Sequence, residues 1–244
     1  MNSTTEPLPH SGWADLYDET YEETFGPFYS NLSSETLRLI SSLVGSGASI
    51  VDFGAGTGRL SVPLAAAGHH VTAVEPSGPM LAVLSRKAAA AGLPIRAVES
   101  RMADFVGDGS AHLATSVFTV IAYVLTEDEL LRSFRAAAGA LQPGGVLLLD
   151  VPRREIFSSV FKTTARVQRR VTVTPETEEI FLYEEDTRVA RDGRWLEARD
   201  RFRIRCWTPA LVRQVLEDTG FTLERDLSDD FGFTGAHYWC CRKR

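Results

Sequence analysis

Three glycines spaced two apart, Gly54, Gly56 and Gly58, follow an apolar run in the stretch VDFGAGTGRL, residues 51–60. With no Cβ in the way, such a turn lets the backbone approach a ligand closely. A helix starting at its far end aims free N–H groups at the same place. NAD, FAD, ATP and S-adenosylmethionine (SAM) all lie against loops of this general kind. A dinucleotide fingerprint, G-x-G-x-x-G, needs glycine where this chain has Arg59, and a P-loop needs GK[ST], which is absent. The loop therefore suits a nucleoside ligand with little or no phosphate. Glu75 closes the next apolar run, HVTAVE, where its carboxylate can accept both ribose hydroxyls side by side. Asp52, two residues before the first glycine, would repel a pyrophosphate and favour the ammonium of a methionine moiety.

A loop of this kind needs a strand ahead of it and a helix behind it. SIVDF reads as a buried strand and RLSVPLAAAG as a helix closed by Gly68. HVTAVE is the next strand, and SGPMLAVLSRKAAAAG a helix ended by Gly92. PIRAVES and LATSVFTV follow as third and fourth strands. TEDELLRSFRAAAGAL is a helix with Thr126 as N-cap and acidic residues in its first turn, and GGVLLLDV is the fifth strand. Strands alternating with helices predict parallel pairing through right-handed crossovers, hence an α/β, doubly wound, Rossmann-like sheet.

After Pro152 the pattern changes. ARVQRRVTVT, EEIFLYEEDTRVA and RWLEARDRFRIRCW alternate over much of their length, and the turn signal RDG separates the last two. They predict a three-stranded antiparallel insertion after strand five. TPALVRQVLEDTG returns to helix, with Thr208 as N-cap and Pro209 at its first position; FTLERDL and AHYWCCRK then complete seven strands. The expected organisation is an N-terminal helical cover (1–48), one nucleoside-binding domain (49–163 and 207–244) and the β insertion (164–206).

Composition is that of a soluble globular chain, 44% hydrophobic and 24% charged, and its net charge of -6 argues against a nucleic-acid partner. No apolar run reaches the ~18–20 residues that span a bilayer, so no membrane partner is expected. The opening MNSTTEPLPHSGW has neither the basic nor the apolar region of a secretory signal, which makes the cytoplasm the expected location. Cys206, Cys240 and Cys241 are few and show no zinc spacing. The five histidines are scattered, His69 and His70 falling at a helix-to-strand turn where surface exposure is expected, and no metal site is predicted.

VDFGAGTGRL, then VTAVEPSGPML, then a strand ending near ESRMADF, and finally ALQPGGVLLLDV together resemble the class I SAM-dependent methyltransferases, in order and at the family's usual spacing over about residues 50–151. The resemblance implies SAM as cofactor and S-adenosylhomocysteine as its product. It places Gly54, Ala55, Gly56 and Gly58 at the methionine end with Asp52 on the amine, Glu75 on the ribose, and Pro76 and Met80 beside the adenosine. Asp104 is implied to receive the adenine amino group, the Phe105 backbone N–H a ring nitrogen, and Phe118 to lie beside the sulfonium. WADLYDETY resembles the YDxxY element of small-molecule methyltransferases, in which Tyr17 and Tyr21 would close over SAM and acceptor. Tyr123, in SVFTVIAYVLTEDEL, resembles the acceptor-lining tyrosine, with Ala122 where Asn or Gly is frequent. His237, in GAHYW, leads into the last strand near where substrates enter similar folds. The insertion resembles the lid or oligomerisation subdomain of N-methyltransferases acting on glycine-like substrates, amino sugars or lincosamide-type antibiotic precursors.

The implied reaction is methyl transfer to a small-molecule nitrogen, with Tyr17, Phe118, Tyr123 and His237 as acceptor-site residues, and a homo-oligomer is compatible with it. Displacement at a methyl carbon already activated by sulfonium needs alignment above all, worth ~7–11 kcal/mol. A strong base is needed only if the acceptor holds its proton: an alkylammonium with a pKa of ~10.4 costs about 4 kcal/mol to deprotonate at neutral pH. An O-methyltransferase with His237 or a tyrosine as base, and a non-catalytic SAM-binding regulatory protein, are the alternatives.

Overall fold

In the computed structural model, which describes residues 8–244, the alternating pattern resolves into a seven-stranded sheet. Residues 1–7 of the expected N-terminal cover lie outside the described residues. Two helices, α1 (Ala14–Phe25) and α2 (Pro27–Leu43), meet at Gly26. Then come β1 (Ser49–Phe53), α3 (Ser61–Ala66), β2 (His70–Glu75), α4 (Gly78–Ala90), β3 (Ile95–Glu99), β4 (Ala111–Ser116), α5 (Glu127–Ala140) and β5 (Leu141–Pro152). The sheet closes after α6 (Pro209–Asp218) with β10 (Phe221–Asp226) and β11 (Ala236–Lys243). Its order is β10-β11-β5-β4-β1-β2-β3, with β11 antiparallel to both β5 and β10 and the rest parallel.

Helices cover both faces, which is why Leu147, Leu148 and Leu149 of β5 are all fully buried. Phe134, Val212 and Trp239 fill one layer; Ile40, Leu64 and Tyr238 fill the other. The two expected caps form, Thr126 accepting from the Glu129 amide and Thr208 from that of Leu211, and Ser77 likewise accepts from the Met80 amide. The chain order reverses between β1 and β4, so a crevice opens at their carboxyl ends, and there the glycine loop sits. No helix among the described residues is long and apolar enough to cross a membrane.

The insertion has four antiparallel strands where three are predicted: β6 (Val160–Thr163), β7 (Val167–Pro175), β8 (Ile180–Arg191) and β9 (Arg194–Arg205). The extra strand, VFKT, is too short to show an alternation of its own and exists by pairing with β7, Val160 opposite Val171. Asp192 and Gly193, both at positive φ, make the β8–β9 turn. Phe181, Glu185, Thr187 and Val189 of β8 face inward, while Glu184, Asp186 and Arg188 pair outward with Arg201, Arg199 and Glu197 on β9. This face is solvated, and each such pair contributes about 0–1 kcal/mol. His69, expected at the surface, is buried: the turn at Gly68 folds it back so that its amide donates to the Leu64 carbonyl.

Candidate active site

The glycine loop leaves β1 and turns at once, the Gly54 and Ala55 amides both donating to the Val74 carbonyl of β2. All three glycines have positive φ, and at Gly54 a Cβ would meet Val120 at 2.4 Å. The loop, the end of β2 and the end of β4 enclose a cavity of about 330 Å³, within the range of small-ligand pockets. Glu75, Pro76 and Met80 line it together with Asp52, Gly54, Ala55 and Gly56.

Glu75 accepts from the Gly56 amide (3.0 Å) through Oε2 and from the Ser77 amide (2.9 Å) through Oε1. Burial pushes its pKa up, against the pull of those amides. Each carboxylate oxygen keeps a further acceptor site for a ligand hydroxyl. Asp52 is more committed: Ser61 and Thr115 hydroxyls donate to its two oxygens, each at 2.6 Å. Gly58 does not line the cavity. It lets α3 approach α4, since a Cβ there would stand 2.9 Å from Leu84 and from Val62.

At the end of β4 the chain makes a left-handed turn at two non-glycine residues, Phe118 (φ 70) and Thr119 (φ 67). Their amides donate to the buried Asp150 carboxylate at 3.0 Å, which holds the conformation. Such a pair costs about 1–3 kcal/mol per residue in strain. The turn presents Phe118 to the cavity beneath the guanidinium of Arg59, which lies between the rings of Phe118 and Tyr29. A single helical turn, Val120–Tyr123, follows. The Trp207 indole anchors it by donating to the Ile121 (3.0 Å) and Val124 (3.1 Å) carbonyls. Ala122 packs among Phe157, Phe181 and Phe202, so a larger residue there would displace core.

The aromatic N-terminal segment does lie over the site. Tyr17 lines the cavity with Tyr21 stacked behind it, ring centroids 4.2 Å apart. Tyr21 itself faces away from the cavity, toward Arg169, whose Nη2 donates to its hydroxyl at 3.3 Å. Arg169 is paired at 2.6 Å with Glu185, both side chains almost fully buried. Asp18, between the two tyrosines, accepts from the Thr57 hydroxyl (2.6 Å) and pairs with Lys87, latching α1 to the glycine loop. Burial raises the phenol pKa of Tyr17 and Tyr123 well above the ordinary value and that of Tyr29 to about 12. These rings therefore act as neutral faces and donors.

Besides Gly58 and Tyr21, three more of the expected residues stand elsewhere. Asp104 ends a single turn, Met102–Asp104, whose apolar member Met102 points inward. That rotation sends the Asp104 carboxylate to solvent, where it pairs with Arg132 at 2.9 Å. Phe105 is core against Phe53, and its amide already donates to the Met102 carbonyl. The neighbours Arg101, Met102 and Ala103 reach the cavity instead. His237 packs beside Trp239 with Nδ1 3.4 Å from the Ser228 hydroxyl and does not line the cavity.

Other residues enter unannounced. His10 lines the cavity from the segment before α1, its Nε2 3.1 Å from the Tyr123 hydroxyl and its backbone N–H donating to Asp200 of β9. Phe202 of β9 completes that wall. His10 was one of five scattered histidines with no local signal, and nothing local pointed to Arg59, Asp150, Asp200 or Phe202 as site residues. Among the described residues no group of three or more His, Cys, Asp or Glu side chains is arranged to hold a metal.

These features fit SAM: open glycines, a carboxylate with acceptor capacity at the end of β2, and a cavity of suitable size. The sequence family described as a methyltransferase domain matches residues 50–145. An uncharacterized methyltransferase of Bacillus licheniformis is 32% identical over 162 residues, 62% of this chain and 70% of the relative. The cypemycin N-terminal methyltransferase of a Streptomyces species is 30% identical over 139 residues, 55% of this chain and 56% of the relative. Alignments with the curated relatives span from 46% to 89% of their length. Among solved structures, SAM-bound CalS10 from Micromonospora echinaspora, an amino pentose methyltransferase involved in calicheamicin biosynthesis, superposes with a TM-score of 0.74 at 21% identity, covering 94% of this chain and 97% of CalS10. A glycine loop at the switch point of such a sheet, in a sequence so related, has one reading: the chain belongs to the class I SAM-dependent methyltransferases.

Proposed function

We propose that the chain methylates a nitrogen of a small molecule, with an amino sugar or an antibiotic precursor as the acceptor class. One observation carries this reading. The cavity is walled by Tyr17, Tyr29, Phe118, Tyr123 and Phe202, and burial keeps its phenols protonated. Aromatic faces attract sulfonium and ammonium groups, by about 0.5–2 kcal/mol each depending on desolvation. They also keep water from the reacting atoms. The relatives named for N-terminal and amino pentose methylation are in keeping with this choice.

When bound, SAM supplies a methyl carbon activated by its sulfonium. The chain's own residues hold and align. Glu75 would take the nucleoside hydroxyls, Pro76 and Met80 would flank it, and Arg59 and Asp52 would bring opposite charges to the amino-acid end. Phe118 and Tyr123, fixed by Asp150 and Trp207, define where the acceptor nitrogen rests.

The test is incubation with SAM and matched panels of amino sugars, alkylamines and phenols, following S-adenosylhomocysteine release and product mass. N-methylated products are expected. Methylation confined to hydroxyls refutes the nitrogen assignment, and SAM consumption by no acceptor of any class favours the regulatory alternative. S-adenosylhomocysteine should raise the melting temperature where NADH does not.

A further inference from the structure

Among the described residues His10 is the one imidazole on the cavity wall, and it is held there from several sides. It sits at a left-handed φ of 63°, boxed by the rings of Trp13, Tyr17, Tyr123 and Phe202. Asp200 Oδ2 accepts its backbone N–H and the Trp13 indole N–H (3.3 Å), so that carboxylate is fixed from two sides. The same oxygen lies 3.5 Å from His10 Nδ1. Nδ1 makes no hydrogen bond to it, but the nearby negative charge favours the neutral tautomer that carries its proton on that nitrogen. Nε2 is then an acceptor, and its partner at 3.1 Å, the Tyr123 hydroxyl, donates to it. The other end of that hydroxyl's capacity is free for the acceptor pocket.

We propose that His10 is the proton acceptor of the methyl-transfer site, reached through the Tyr123 hydroxyl and oriented by Asp200. The proposal rests on the reading that the acceptor is an amine, which arrives mostly as its ammonium. One proton passes from the acceptor nitrogen to Tyr123 Oη while the Tyr123 proton passes to His10 Nε2. The freed lone pair then forms the N–C bond as the C–S bond breaks. Sulfur keeps that electron pair, the product nitrogen carries the positive charge, and His10 later returns its proton to solvent. Tyr123 and His10 are catalytic groups in this scheme, and Asp200 is a positioning residue.

The surroundings keep the resting ring neutral, and nearby carboxylates offset part of the cost of charging it. Burial lowers the His10 pKa, which leaves the ring neutral and able to accept at neutral pH. Glu185 on β8 and Asp200 on β9 favour the charged ring, Arg169 on β7 opposes it, and the phenols of Tyr17, Tyr21 and Tyr123 are neutral. Since Arg169 and Glu185 neutralise each other in their buried pair, Asp200 is the counter-charge left for His10.

The experiment uses the full chain in two readouts. In ¹⁵N-histidine NMR with S-adenosylhomocysteine bound, His10 is expected as the Nδ1–H tautomer at neutral pH. Its Nε2 signal should move in Tyr123→Phe. An Nε2–H tautomer, or an imidazolium at neutral pH, overturns the proposal without any variant. In kinetics, the probes are alkylamines, which are protonated at neutral pH, and anilines or alkoxyamines, which are not. His10→Gln and Tyr123→Phe should each lower kcat/KM on the alkylamines on the order of 10²-fold, the double variant little further, and affect the anilines by no more than about threefold. Asp200→Asn should lower the alkylamine rate and flatten its acid limb. Equal losses on both probe classes make His10 merely structural and overturn this proposal alone; failure of the wild-type chain to methylate any amine defeats the nitrogen reading and this proposal with it.

Discussion

Asp150 stands at the end of β5 with its carboxylate buried and both oxygens turned to the Phe118 and Thr119 amides. Burial pushes its pKa from 3.8 up to about 7, with those amides and Arg59 opposing part of the rise. An acid whose pKa is higher folded than unfolded binds more protons in the folded state between the two values. Its contribution is therefore fully present below 3.8 and is lost as the pH rises through about 7. That span corresponds to about 4 kcal/mol, of which about 2–3 kcal/mol falls between about pH 5 and about pH 8. Asp150→Asn keeps an acceptor oxygen for the amides and removes the titration. Urea unfolding of both proteins at the two pH values should show the wild type losing about 2–3 kcal/mol more than the variant on going to the higher pH. Asp52 and Glu75, whose pKa values burial also raises, titrate in both proteins and cancel in the difference. Equal pH dependence in wild type and variant would refute the account of Asp150 as a buried acid poised near neutrality.

Gly54→Ala places a Cβ 2.4 Å from Val120 at a positive φ, and a loss of about 2–4 kcal/mol is expected, read by chemical denaturation. Glu75→Ala should weaken S-adenosylhomocysteine binding by at least about tenfold in calorimetry, on the order of one charged hydrogen bond, while His237→Ala leaves it unchanged; equal effects would remove the ribose assignment. Glu185→Gln strands the Arg169 cation and should cost about 3–5 kcal/mol, whereas Arg169→Met with Glu185→Leu should be close to neutral, as denaturant midpoints would show.

What could be read along the chain was what local chemistry decides. Gly54, Gly56, Glu75, Pro76 and Met80 reach the cavity because a strand, a tight turn and a capped helix follow from neighbouring residues. Asp104 stands away from the cavity because one residue of rotation in a three-residue turn decides which way its side chain faces, and here Met102 is the buried member. Strand β6 escaped because four residues carry no periodicity and only β7 gives them a partner. His10 was invisible for a different reason: its carboxylate partner lies 190 residues away, and no spacing rule reaches that far.

The cavity is assembled from two parts of the fold, and this bears on how such a protein can change. Its cofactor half comes from strand ends and a loop whose backbone conformations tolerate almost no substitution, as the contacts at Gly54 and Gly58 show. Its other half comes from side chains, Phe202 on a hairpin and His10 and Tyr17 on the segment packed against it. Side chains on a hairpin can be exchanged without re-registering the parallel sheet. Selection for a new acceptor can therefore act on one half while the donor chemistry stays intact, and grafting the β6–β9 insertion together with residues 8–25 is the natural unit for retargeting the enzyme.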